Sequence, residues 1–409
     1  MEAGTKHKET IIHFYPNITR MHGAPKWLFL FATKLQERGF ESIIVSVNIQ
    51  IQLPYWFKGK VITLFRSQKP IREHQGIRKI VSIIHNLVYI IFLPLLIRKQ
   101  PYVRTLVFHS ELSLFAIIFC KLLFRKSRFI YYCYQPPREL YDLKPIAKNN
   151  LGLLYWLLLP FFELYKALDK QLVRASDGVL VWTDLYMEYV RSIYGRHNYL
   201  AVPAGVDFSV FDKQVIGEQR ILDFKQQPRF KGKSILCNIS ALTTKKNLPF
   251  FIQTVKELSA MRGDIHGVIV GEGPEHDNLR KLIKDLDLEN DVTLTGYVSQ
   301  EDLPLYVHLA DIIYYTELNG SWTMASVEAG AAAKPVIVAP GGSMRTLVLD
   351  GKTGYILKGI DTTDEIVLKT EYLLNNPEAR ETMGRENYIH SKQFAVEACI
   401  DKFLGFIKV

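Results

Sequence analysis

Short apolar runs recur along this chain, and each gives way to a polar loop and then to a longer stretch whose apolar positions repeat every third or fourth residue. The short runs read as buried strands and the longer stretches as amphipathic helices. In the first half the strands predicted are Thr10 to Phe14, Ser42 to Val47, Val61 to Phe65, Thr105 to His109, Phe129 to Cys133, Gly178 to Trp182 and Tyr199 to Val202. Helices are predicted from Trp27 to Arg38, stopped by Gly39, from Leu112 to Leu123, up to Ala175, and up to Tyr194-Gly195. Pro203 and Gly205 then mark a turn, after which the alternation restarts. Its strands are Ser234 to Ile239, Ile265 to Val270, Val292 to Thr295, Ile312 to Tyr315, Pro335 to Val338 and Tyr355 to Leu357. Strands alternating with helices predict an α/β chain with two doubly wound, Rossmann-like domains. The expected divisions are 1–204, 205–388 and a C-terminal segment 389–409 that packs back toward the first domain. Two such domains imply a ligand cleft between them.

The densest stretch runs from Thr316 to Gly342. A polar loop with Asn319 and Gly320 precedes a helix, about Thr323 to Ala333, made largely of small residues with one acid, Glu328. The following strand ends in Pro340-Gly341-Gly342, whose two glycines let a ligand approach the backbone. Burying a lone carboxylate is costly without a partner, so Glu328 either pairs with neighbouring backbone or accepts hydrogen bonds from ligand hydroxyls. Lys245 and Lys246 follow a strand and lie at or before the first turn of a helix that runs from about Leu248, an arrangement suited to an anion. Gly23, in the loop between the first strand and helix, is either an ordinary turn glycine or one that turns backbone N–H groups to a ligand. GEGP at 271–274 lacks the third glycine of a dinucleotide fingerprint and reads as a loop.

With 409 residues, 48% apolar and 22% charged, the chain is globular. A net charge of +10 suggests an anionic partner, a phosphate-bearing ligand or a membrane surface. No aromatic-basic RNA signature accompanies it, so nucleic acid is not expected. The four cysteines are far apart and form no CxxC pair, which fits a reducing compartment without a zinc site. The N-terminus lacks the apolar core of a signal peptide, and a cytoplasmic location is expected. Ile80 to Ile97 is an apolar run with basic ends; eighteen residues would span about 27 Å as a helix, near bilayer thickness. His85, Asn86 and Pro94 interrupt it, leaving a buried or membrane-facing helix and a true span both open. A second apolar-aromatic run, Leu151 to Phe162, is also flanked by basic residues. Together they predict peripheral contact with a membrane face.

The residues together resemble the GT-B glycosyltransferases, specifically the retaining family 4, over nearly the whole chain. GEGP through Ile312, VEAGAAAKPVIVAPGG and LDGKTGYIL look like that family's nucleotide-sugar region; YCYQPPRELYD, SIYGR and VPAGVDFSVF resemble one branch of it. The resemblance implies two Rossmann-like domains facing a central cleft, with a UDP- or GDP-sugar donor held mainly by the second. It implies no metal, no cofactor beyond that donor, and transfer of a sugar such as mannose to a lipid-linked or polysaccharide acceptor at the cytoplasmic membrane face. By the same resemblance Glu328 binds the donor ribose, Lys246 contacts the diphosphate, Gly23 faces the phosphates, and Gly341 and Gly342 turn beside the donor. Ser321, Trp322, Thr323 and Lys245 fall in the same donor region.

Three positions depart from the family pattern. Gly320 stands where an acid is expected, and Glu317 is the candidate to substitute for it. Ala241 stands where an arginine is expected; losing a charged hydrogen bond to phosphate removes roughly 1.5–3 kcal/mol unless Lys245 or Arg345 replaces it. Tyr134 replaces a histidine and still hydrogen-bonds sugar hydroxyls, with His22 and His109 nearby in sequence. Lys246, Glu317 and Tyr134 are therefore the catalytic candidates. A non-catalytic GT-B subunit and a sugar-nucleotide epimerase are the competing readings.

Overall fold

The computed structural model describes residues 8–19, 23–66, 94–134, 141, 153–195, 197–317 and 322–408. The chain divides into two compact units. Unit 1 comprises 1–203 with 400–409, and unit 2 comprises 204–399. The expected C-terminal segment 389–409 is thus divided. Its first part completes the helix Pro377–Ser391 of unit 2, and only 400–409 joins unit 1.

Unit 1 is built on a parallel sheet in the order β2-β3-β1-β5-β6-β7-β8, with β4 paired to β3. Its strands are β1 (Thr10–Phe14), β2 (Asn17–Ile18), β3 (Glu41–Ile49), β4 (Lys60–Arg66), β5 (Val103–Phe108), β6 (Arg128–Tyr132), β7 (Gly178–Val181) and β8 (Tyr199–Ala201). β2 lies in a stretch that sequence marks only as a loop, since two residues carry no periodicity. A parallel sheet is covered by helices on both faces, so its strands are apolar throughout. Side chains alternate between faces: Ile12, Phe14, Ile43 and Val45 join one core, whereas Ile44 joins another with Leu28 and Phe29 of the helix Ala24–Glu37.

That helix starts three residues earlier than expected, because Pro25 suits a first turn. The predicted helix from Leu112 to Leu123 is two pieces, Glu111–Leu114 and Ile117–Leu123, the first held by a Ser110–Ser113 capping box. The second apolar run continues without a break into the charged helix, giving one element, Leu153–Arg174. Of the run 80–97, only its end lies within the described residues, where 94–97 is a helical turn. Among the described residues no helix is long and apolar enough to cross a membrane.

Unit 2 carries a six-stranded parallel sheet, β11-β10-β9-β12-β13-β14. Its strands are β9 (Ser234–Ile239), β10 (Ile265–Val270), β11 (Val292–Leu294), β12 (Ile312–Tyr315), β13 (Val336–Val338) and β14 (Gly354–Ile356). Ile235, Cys237, Ile313 and Tyr315 face one core, and Leu236, Ile312 and Tyr314 face the other. The small-residue helix Met324–Ala331 packs on Pro377–Ser391 at close range: a Cβ on Gly330 would lie 2.0 Å from Ser391 Oγ.

Candidate functional site at the carboxyl edges of the two sheets

In a parallel sheet, ligands meet the loops that leave the carboxyl ends of the strands. In unit 2 the loop after β9 is fixed first. Ser240 Oγ donates to Asn238 Oδ1 at 2.9 Å. The GEGP turn is bound to this loop, with Leu242 N donating to Glu272 O at 3.0 Å and Glu275 N to Leu242 O at 3.0 Å. A Cβ on Gly273 would lie 2.3 Å from Leu242 O, so its glycine serves packing of one loop on another.

Lys245 and Lys246 are not in the first turn of the following helix. They occupy a short 3-10 turn, Thr244–Lys246, separated from the helix Leu248–Met261 by Asn247 in the left-handed conformation (φ 47°). Asparagine is one of the few residues that adopts this conformation readily. The Lys246 ammonium forms a hydrogen-bonded ion pair with Glu317. Both partners are largely withdrawn from solvent, with side-chain exposures of 25% and 13%. The backbone is pinned alongside: Thr316 Oγ1 donates to Lys246 O at 2.7 Å, and Asn238 Nδ2 donates to Thr316 Oγ1 at 3.4 Å. Lys245 points into solvent, as does Arg345 on the short helix Met344–Leu347.

Glu328 is buried, at 3% exposure. Its charge, added to burial, pushes the Tyr315 hydroxyl well above the usual tyrosine range. Tyr315, whose hydroxyl senses Glu328, lies two residues before Glu317, the partner of Lys246. Gly341 and Gly342 follow β13, the neighbour of β12, and both adopt positive φ (108° and 56°), which favours glycine at each. Thr323 is the extended residue before the helix Met324–Ala331. Trp322, expected to bind the donor, has its indole engaged already: Nε1 donates to Ala204 O at 3.2 Å and the ring meets Phe394 edge to face. Ser321 and Gly320 lie outside the described residues. Ala241 is exposed.

In unit 1 Gly23 precedes the helix Ala24–Glu37 with φ 57° and ψ −123°, and among the described residues no heavy atom lies within 4 Å of where its Cβ would be. A glycine is thus required by the backbone and leaves open space before the helix N-terminus. Tyr134 follows β6. Its ring stacks on Trp182 with centroids 4.7 Å apart, and Trp182 Nε1 donates to Tyr134 O at 2.8 Å. Its hydroxyl meets His109 Nδ1 at 2.6 Å, and His109 Nε2 meets His13 Nδ1 at 3.0 Å. Burial pushes His13 down to about 3 and His109 well below its ordinary value, His13 adding to the latter. Both imidazoles are neutral at pH 7. Sequence reasoning read β1 as a plain strand and missed His13; the signal was a histidine inside an otherwise apolar run. His22 lies outside the described residues. Among the described residues no cluster of His, Cys, Asp and Glu is arranged to hold a metal ion.

Two parallel-sheet α/β units, each with its candidate residues at a carboxyl edge, define the GT-B fold. Residues 219–390 match the family model described as glycosyl transferases group 1. UDP-bound HepE of Anabaena superposes with a TM-score of 0.73 over 98% of this chain and 99% of that one, at 15% identity, a likeness of fold. Alpha-D-kanosaminyltransferase of Streptomyces kanamyceticus is 24% identical over 59% of this chain and 62% of its own length. Alpha-monoglucosyldiacylglycerol synthase of Acholeplasma laidlawii is 23% identical over 51% of this chain and 52% of its own length. The matches thus span between half and two thirds of these relatives.

Proposed function

We propose that the chain is a retaining, metal-independent glycosyltransferase that moves a hexosyl group, such as mannose, from a UDP- or GDP-sugar to a lipid-linked or polysaccharide acceptor. The observation that carries this reading is the Lys246–Glu317 pair, with Glu317 two residues after Tyr315, whose hydroxyl senses buried Glu328. In this reading Lys246 stabilises the negative charge that builds on the leaving diphosphate. Glu328 accepts hydrogen bonds from the donor ribose. Glu317, freed from Lys246 when the diphosphate arrives, meets sugar hydroxyls in place of the acid absent at Gly320. Gly23, Lys245, Ser321, Thr323, Gly341 and Gly342 supply the surrounding donor contacts, and Tyr134 meets the acceptor. The names of the relatives and the UDP in the HepE structure agree with a nucleotide-sugar donor.

Work at a cytoplasmic membrane face is supported by the surface of unit 1. Ile118, Phe119, Leu122 and Leu123 are exposed on the helix Ile117–Leu123, as are Trp156, Phe161 and Leu164 on Leu153–Arg174. The two regions adjoin, since Phe115 and Tyr165 have ring centroids 6.1 Å apart. Exposed Arg125 and Lys126 flank them. Flotation with phosphatidylglycerol vesicles at low salt is expected to carry the protein, and equal flotation with phosphatidylcholine vesicles would remove the anionic-surface part of the reading.

The decisive experiment is a binding and turnover screen of the full chain with UDP-, GDP-, ADP- and dTDP-sugars. One of them is expected to bind and turn over; binding to none defeats the reading. Glu328→Ala is expected to weaken nucleoside-diphosphate binding by about tenfold or more, and unchanged affinity takes Glu328 out of the site. A second reading, a non-catalytic GT-B subunit, is favoured by Ala241, which leaves the loop after β9 without the family's arginine. Donor binding without turnover selects it.

A further inference from the structure

Three groups in unit 1 form one hydrogen-bonded row across neighbouring strand ends. His13 lies in β1, His109 directly follows β5, and Tyr134 follows β6; these strands are adjacent in the order β1-β5-β6. The row is Tyr134 Oη, His109 Nδ1 at 2.6 Å, His109 Nε2, and His13 Nδ1 at 3.0 Å. Both imidazoles are fully buried. Among the described residues, His13 Nε2, the far end of the row, has no hydrogen-bond partner. The His13 ring stands edge to face with Phe31, centroids 5.6 Å apart.

Each link holds one proton, and with both imidazoles neutral only two arrangements are possible. In the first, Tyr134 donates to His109 Nδ1, His109 Nε2–H donates to His13 Nδ1, and the row ends in an N–H at His13 Nε2. In the second, every bond is reversed, and Tyr134 keeps its proton for a ligand. The 2.6 Å link decides between them. It suits an O–H donor, whereas N–H donors sit nearer 2.9 Å.

We propose that His109 and His13 are positioning residues that hold the Tyr134 proton inward, so that its oxygen meets a ligand only as a hydrogen-bond acceptor. Such an oxygen selects a group that donates, a hydroxyl, and gives no hydrogen bond to an anionic phosphate oxygen. Tyr134 is thereby assigned to a hydroxyl of the sugar acceptor, with the diphosphate left to Lys246; this assignment rests on the glycosyl-transfer reading, while the orientation of the row does not. No net proton moves along it, because an imidazolium at either buried histidine is strongly disfavoured.

The test has two arms. In the full chain labelled with 15N-histidine and free of ligand, His13 and His109 are both expected to show protonated Nε2 and bare Nδ1. Protonated Nδ1 with bare Nε2 on both rings, or a charged ring at pH 7, overturns the proposal. His13→Asn keeps an acceptor oxygen near the place of Nδ1 and is expected to preserve the His109 tautomer; His13→Leu is expected to mix the two forms. A merely structural His13 would change the melting temperature in both variants and the tautomer in neither. In the second arm, with whichever nucleotide sugar turns over, Tyr134→Phe is expected to raise KM for the acceptor by about tenfold while leaving UDP or GDP affinity within about twofold. An equal loss of diphosphate affinity overturns the assignment to the acceptor. If no sugar turns over, the first arm still decides the row, so the two failures are told apart.

Discussion

The two sheets share a parallel layout but end differently. The carboxyl edge in unit 2 is charged: Lys246 and Glu317 face each other, and Glu328 is buried nearby. The corresponding edge in unit 1 is polar yet neutral, built from Tyr134, two uncharged imidazoles and Trp182. A fixed cation is suited to a ligand that arrives as an anion, because its desolvation is offset only by opposite charge. A neutral hydrogen-bonding row is suited to hydroxyls, which lose little on leaving water if each finds a partner. One fold thus offers two chemical halves, and the difference lies in a handful of residues at or just beyond the strand ends.

The largest test of that contrast is acid. His13 falls from about 6.5 unfolded to about 3 folded, so the folded state binds fewer protons across that window and stability is lost as pH falls through it. The slope per such histidine is at most about 1.4 kcal/mol per pH unit. Urea titrations between pH 7 and pH 5 are expected to show a slope that His13→Phe reduces by one group's share; an unchanged slope would mean that His13 is protonated or exposed. Next, Lys246→Ala is expected to lower UDP or GDP affinity by roughly 1.5–3 kcal/mol, measured by calorimetry. Glu317→Gln acts in the opposite sense on the same quantity. It removes the internal competitor for Lys246, so diphosphate affinity is expected to hold or rise while turnover falls. If both variants weaken binding alike, the pair is a structural strut. Smallest is Gly330→Ala, which places a methyl against Ser391 and is expected to cost about 1–3 kcal/mol of stability in unit 2. A thermal melt with unchanged midpoint would show that the two helices separate freely.

The alternation of strands and helices was legible because a parallel sheet covered on both faces leaves short, β-branched apolar runs bounded by turn residues. Ser234–Ile239, Ile265–Val270 and Ile312–Tyr315 have the expected limits to the residue. Ends set by single contacts were not legible. The helix Ala24–Glu37 has Pro25 in its first turn, and Glu111–Leu114, fixed at its start by a capping box, ends before Ile117–Leu123 begins. Glu317 was a candidate in sequence, but its pairing with Lys246 joins residues 71 positions apart, which no periodicity announces. His13 was hidden for the opposite reason. A neutral buried imidazole behaves in a strand like an apolar residue, and only the distance to His109 shows what it does.

The helix Val396–Lys408 begins with residues of unit 2 and ends with residues of unit 1, where Phe403 meets Phe31 and Asp401 pairs with Arg38 at 2.6 Å. During synthesis these contacts cannot form until all of unit 2 has left the ribosome. Unit 2 is continuous along the chain and is free to fold as it emerges, whereas unit 1, although made first, waits with the Phe31 side of its core uncovered. The order of synthesis is therefore the reverse of the order of completion.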